Sequence, residues 1–142
     1  SRKYETYLTI EKMLNILFES LEESDFYEVE SGQKILNYID RNLCKGLSLD
    51  EAAEYANMSS CYFSKFFKKM TGQNYIAYIT DGKIELAKQM LLDTDLPVIN
   101  ISYALSYSET NYFSKAFKRK TGVTPTEFRE GAKKAGNQDS GC

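Results

Sequence analysis

The sequence predicts an all-α chain made of two similar helical units joined by a long helix. Three observations carry this reading. Residues 61 to 72, Cys-Tyr-Phe-Ser-Lys-Phe-Phe-Lys-Lys-Met-Thr-Gly, and 111 to 122, Asn-Tyr-Phe-Ser-Lys-Ala-Phe-Lys-Arg-Lys-Thr-Gly, are identical at eight of twelve positions and lie fifty residues apart, which marks an internal duplication. Apolar residues recur at spacings of three and four, the period of a helix face. No alternating stretch of useful strand length occurs in the 142 residues.

Taken in order, residues 4 to 23 are rich in helix formers, with Tyr7, Ile10, Leu14, Leu17 and Leu21 stepping by three and four. Two heptads fall short of a coiled coil, so a helix docked on its own domain and a dimer seam both remain open. Glu22 to Gly32 is acidic and aperiodic, which predicts a linker and places the domain boundary after residue 31. Ile35, Leu36, Ile39 and Leu43 make the apolar face of a helix over Gln33 to Leu43, closed by Lys45-Gly46.

Ser48 and Glu51 form a capping box ahead of Leu49, Ala52, Ala53 and Ala56. Asn57 suits a left-handed turn, and Ser59 or Ser60 can cap the first repeated helix, which Gly72 ends. Residues 75 to 92, with Ile76, Ile79, Ala87 and Leu91 on one face, form the connecting helix. Gly82 inside it is expected to soften it by about 1 kcal/mol relative to alanine. Pro97 suits the first turn of a helix bearing Ile101, Ala104 and Leu105; Tyr107 and Ser108 lead into the second repeated helix, which Gly122 ends. Thr124-Pro125-Thr126-Glu127 caps a short final helix anchored by Phe128, and the polar tail from residue 132 to 142 is expected to fray. The chain thus reads as two helix-turn-helix units on either side of a connector.

Each repeated helix has two faces. Phe63, Phe67, Phe113 and Phe117, together with Tyr112 and Phe128, are assigned to the core. Opposite them, Cys61, Ser64, Lys65 and Lys68, and again Asn111, Ser114, Lys115 and Lys118, follow the i, i+3, i+4, i+7 spacing of one exposed stripe. Short polar side chains beside long cations suit a helix pressed into a DNA groove.

Charge agrees once it is divided. The net charge is −2, yet residues 1 to 31 carry three basic and eight acidic groups, leaving residues 32 to 142 at +3, with seven basic and two acidic groups between Tyr112 and Lys134. Distribution, not the sum, guides binding to a polyanion. The chain has no histidine, and its three cysteines, Cys44, Cys61 and Cys142, show no paired metal-ligand spacing. A metal site, a cofactor and a histidine-dependent enzyme are therefore not expected. Neither a membrane span nor a signal peptide is evident, so no membrane partner is expected and a cytoplasmic location is the default.

The run from Ile101 to Arg129, with its Tyr112-Phe113-Ser114-Lys115-x-Phe117-Lys118 core followed by Gly122-x-x-Pro125-x-x-Phe128-Arg129, resembles the DNA-binding domain of the AraC/XylS transcription regulators of bacteria, over residues 33 to 131. The resemblance implies a seven-helix domain with two helix-turn-helix modules. Their third and sixth helices enter successive major-groove segments on one face of double-stranded DNA. Carried over by position, it implies base reading by Cys61, Ser64, Lys65, Thr110, Asn111, Ser114 and Lys115. Phosphate contacts fall to Lys68, Lys69, Lys118, Arg119 and Lys120. It further implies an activator working with RNA polymerase, and a preceding sensing or dimerisation region of which residues 1 to 31 are the end, with a homodimer through the N-terminal helix.

Three positions depart from the family pattern: Lys83 for arginine, Ser102 for alanine and Ser106 for glycine. They bear on the anchoring of the connector and the tightness of the second turn. If Ser106 is left-handed, Ser106→Gly is expected to stabilise the domain by about 1 kcal/mol. The competing reading is a helical protein-interaction module that has lost DNA affinity, suggested by the overall acidity and the small residues among the readers.

Overall fold

The computed structural model describes residues 9–14 and 23–140, and the side chains of residues 9–14 and 30–136. Among these residues all regular structure is helical. Residues 9–14 are helical and exposed; residues 4–8 and 15–22 of the stretch read as rich in helix formers over 4 to 23 lie outside the described residues. Seven helices follow: α1 (Glu23–Arg41), α2 (Leu49–Tyr55), α3 (Ser60–Thr71), α4 (Tyr75–Asp93), α5 (Val98–Ala104), α6 (Thr110–Thr121) and α7 (Pro125–Ser140), with a single 3-10 turn, Leu43–Lys45, between α1 and α2. The chain divides into two compact units, residues 1–36 and 37–142.

Two elements are longer than the sequence pattern predicts. Helix α1 begins at Glu23, so the acidic stretch read as a linker is helical and the boundary drawn after residue 31 falls inside a helix. Helix α7 continues past Gly131 to Ser140 where a frayed tail is predicted. In α1 the added turns run straight into the buried face of Ile35 and Ile39, and acidic residues in the first turn suit the helix dipole; in α7 the lysines and alanines after Gly131 favour continuation.

The first module is packed on aromatic rings. Phe63 and Phe67 of α3 are fully buried and meet Tyr75 of α4 edge-on at 5.9 and 5.5 Å, while Phe67 also meets Tyr78 at 5.2 Å. Ala52, Ala53 and Ile39 are buried in the same unit. The second module repeats the arrangement: Phe113 and Phe117 of α6 are fully buried with Ile84, Ala87 and Leu91 of α4 and Ile101 and Leu105, and Phe128 of α7 closes on Phe117 at 5.5 Å. Tyr112, assigned to the core, is instead 55% exposed, as is Tyr62 at the matching position. On the connector, Ile76 is exposed, and Tyr75 and Ile84 take the buried places.

Gly82 has a packing reason. A β-carbon there would lie 3.0 Å from Leu43 Cδ1, so the glycine lets the 3-10 turn lie against α4, a role different from the softening expected.

Candidate nucleic-acid interface

The helix-turn-helix turns are built alike. Tyr107 donates its N–H to the Ser102 carbonyl just as Met58 donates to that of Ala53, at 3.0 Å in each case, and the residue between is left-handed: Asn57 at φ 57° and Ser106 at φ 64°. From there the modules diverge by one residue. Met58 is followed by one residue, Ser59, before α3; Tyr107 is followed by two, Ser108 and Glu109, before α6.

Ser59 caps α3, its Oγ accepting the Tyr62 N–H at 3.2 Å, and Ser60 Oγ donates to the Asp50 carboxylate of α2. Glu109, in the same place before α6, makes no side-chain cap. Both helices end identically. Gly72 (φ 79°) and Gly122 (φ 86°) are left-handed, as their positions predict, and the preceding threonine hydroxyl lies 2.9 or 2.8 Å from the carbonyl four residues back, Phe67 or Phe117. That hydroxyl also accepts an N–H from the residue after the glycine. The buried phenylalanines fix each helix's rotation, so the opposite stripe faces outward for a structural reason.

On that stripe, Cys61, Lys65 and Lys68 of α3, and Asn111, Lys115 and Lys118 of α6, are exposed, and Ser64 and Ser114 are half-buried. Lys69 and Arg119 are exposed beside them. None of Lys65, Lys68, Lys69, Lys115, Lys118 and Arg119 forms an ion pair among the described residues. Two of the assigned residues stand apart. Thr110 is half-buried, its hydroxyl 3.2 Å from that of Ser102. Lys120 points to the connector, where its ammonium pairs with Asp81 at 2.8 Å. Lys120 lies two residues beyond Lys118, about 200° around the helix, so it leaves the stripe.

Polar contacts outside the stripes hold these elements together. Asp81 also accepts from Gln73 Nε2 at 2.9 Å, so one carboxylate joins the end of the first module, the connector and α6. Hydrogen bonds from Lys120 and then Gln73 hold that carboxyl below its usual pKa range. Arg129 donates to the carbonyls of Leu91, Thr94 and Leu96 at 3.1, 3.1 and 2.6 Å, fastening α7 to the end of α4. The exposed pair Tyr62 and Tyr112 could have been found from their identity in both copies.

The three departures are each accommodated. Ser102 is fully buried and its Oγ donates to the Ile99 carbonyl at 2.8 Å. The Ser106 hydroxyl donates to the Cys44 carbonyl, tying the second turn to the 3-10 turn of the first module. Lys83 lies with its ammonium 4.8 Å from the centre of the Tyr107 ring, and burial lowers its pKa. Among the described residues no cluster of three or more metal-ligating side chains occurs, and no helix is long and apolar enough to cross a membrane.

The chain is similar to known proteins. The family described as "Helix-turn-helix domain" matches residues 52–131. The regulatory protein PocR of Salmonella typhimurium is 35% identical over 98 residues, covering 69% of this chain and 32% of its own length. The chain therefore spans about a third of the length of that relative. Among solved structures, the C-terminal domain of AraT, a response regulator from Geobacillus stearothermophilus, is 33% identical with a TM-score of 0.67, over 70% of this chain and 84% of that one. The DNA-binding domain of AdpA, a global transcriptional factor solved in complex with a target DNA, shares the fold at a TM-score of 0.68 and 18% identity, over 70% of this chain and 90% of that one.

Proposed function

Because the chain belongs to the helix-turn-helix family of AraC-type DNA-binding domains, we propose that it binds double-stranded DNA sequence-specifically as part of a bacterial transcription regulator, with α3 and α6 inserted into successive major-groove segments. The observation that carries this reading is the repetition of one outward stripe, polar and basic with cations that form no ion pair among the described residues, on two helices each anchored by a matching pair of buried phenylalanines. A helix fits the major groove, where base edges present distinct donors and acceptors. Asn111 can pair with adenine, Lys65 and Lys115 can reach guanine, and Cys61, Ser64 and Ser114 let the backbone come close. Lys68, Lys69, Lys118 and Arg119, a turn further along, meet phosphates, which give affinity without sequence information.

In this reading residues 32–131 form the DNA-binding part and residues 1–31 the end of a sensing or dimerisation region. Exposed Ile10, Met13 and Leu14 on the helical segment 9–14 favour a homodimer seam there. The regulator acts in the cytoplasm, as an activator that works through RNA polymerase. Selection of random duplexes at moderate salt tests the core of the proposal: a bound consensus, with affinity falling steeply as salt rises, is the expected result. Equal affinity for all duplexes or none, with a protein partner on the same stripe, would favour the interaction-module reading instead.

A further inference from the structure

The two recognition helices carry almost the same reading surface. Ser64 and Ser114 are both serine and both half-buried; Lys65 and Lys115, and Lys68 and Lys118, are both lysine and both exposed; Tyr62 and Tyr112 are both tyrosine and each 55% exposed. Each stripe is held in the same rotation by a fully buried phenylalanine pair, and each helix has twelve residues closed by the same threonine and left-handed glycine. At the exposed head of the stripe the copies differ in kind, Cys61 against Asn111.

Base preference follows from which donors and acceptors meet which base edge, and equal side chains presented alike meet equal edges. The geometry points to a target made of two near-copies of one short motif, differing chiefly at the base pair met by Cys61 in one copy and Asn111 in the other. This rests on the DNA-binding reading above and adds the form of the ligand. A thiol is a weak hydrogen-bonding group, whereas an amide can pair with both the N6 and N7 positions of adenine, so the copy read by α6 should carry an adenine that the copy read by α3 leaves loosely specified. With both helices on one side of the duplex, the copies should be centred about 10 base pairs apart.

Selection of random duplexes by the full chain, followed by affinities of two reciprocal variants, tests the inference. The expected consensus contains the same few base pairs twice, about one helical turn apart, with a single strong difference between copies. Asn111→Cys should reduce discrimination for the distinguishing adenine about tenfold or more and make the two copies equivalent. Cys61→Asn should create the same adenine preference in the other copy, a gain that misfolding cannot mimic. A consensus with two unrelated halves, or a Cys61→Asn variant that gains no preference while still binding, overturns the inference and leaves the DNA-binding reading standing. Absence of any selected consensus overturns both.

Discussion

At Ser106 two small energies of opposite sign meet. A non-glycine residue at φ 64° costs roughly 1–2 kcal/mol in left-handed backbone, while its hydroxyl donates to the Cys44 carbonyl, a bond worth about 0.5–1.5 kcal/mol. Ser106→Gly removes both, so its denaturation midpoint should stay close to the parent's instead of rising by the 1 kcal/mol expected from conformation alone. Ser106→Ala keeps the strain and loses the bond, and should lower stability by about 1 kcal/mol. A midpoint for the alanine variant equal to the parent's would show that the bond contributes nothing. The cations divide in a similar way by what they face. Lys65→Ala and Lys115→Ala should each cost about 1–3 kcal/mol on the preferred duplex and relax preference at a few base pairs. Lys118→Ala and Arg119→Ala should weaken all duplexes alike and each lower the salt slope by about 1. Lys120→Ala should leave that slope unchanged, because its ammonium is held by Asp81. Affinities at several salt concentrations on preferred and scrambled duplexes decide each assignment.

Among the elements, α6 starts with a defect that α3 lacks. Ser59 caps α3 through its side chain and Glu109 does not cap α6, so Glu109→Ser, placing a short hydroxyl ahead of the Tyr112 N–H, should stabilise the domain by about 0.5–1 kcal/mol. Calorimetry would detect this as a rise in Tm, and an unchanged Tm would mean that the longer turn keeps the hydroxyl out of reach. The α3–α4 contact responds to alkali. Burial pushes the hydroxyls of Tyr75 and Tyr78 up to about 12, helped by the Glu51 charge in the first case and the Asp40 hydrogen bond in the second. Unfolded tyrosine ionises near pH 10, so between about pH 10 and 12 the unfolded chain sheds protons that the folded chain keeps. The stabilisation is complete below pH 10 and is lost as pH rises through that window. A Tyr75→Phe/Tyr78→Phe variant should show a shallower fall in urea midpoint across it.

Elements with local causes were legible in the residues. The Ser48–Glu51 cap, left-handed Asn57, the glycines ending α3 and α6, and the Thr124 cap all depend on neighbours within four positions. What escaped has distant causes or no stripe. Arg129 takes its meaning from carbonyls more than thirty residues earlier, Asp81 from a lysine on another helix, and the acidic start of α1 shows neither an apolar period nor, apart from its glutamates, strong helix formers. Period puts Ile76 on the buried face and aromatic character puts Tyr112 in the core, and neither signal distinguishes the edge of a face from its centre.

At the scale of the whole molecule, the contacts made by Asp81 act as a gauge. Gln73 at the end of the first module and Lys120 on α6 hold the same carboxylate of α4, so an exposed joint adds to the buried packing of α6 on α4 in fixing the step between α3 and α6. A ruler with a fixed step rejects marks drawn at another interval. Duplexes with one base pair inserted between the motif copies should therefore bind the parent less well than duplexes with the natural interval. Asp81→Ala should narrow that gap by up to about fivefold, the most an exposed ion pair of about 1 kcal/mol can contribute. The charge-swapped pair Asp81→Lys/Lys120→Asp should restore the gap in part, whereas a simple loss of fold would depress both intervals equally. An insertion penalty identical in parent and Asp81→Ala would mean that the helices alone keep the measure.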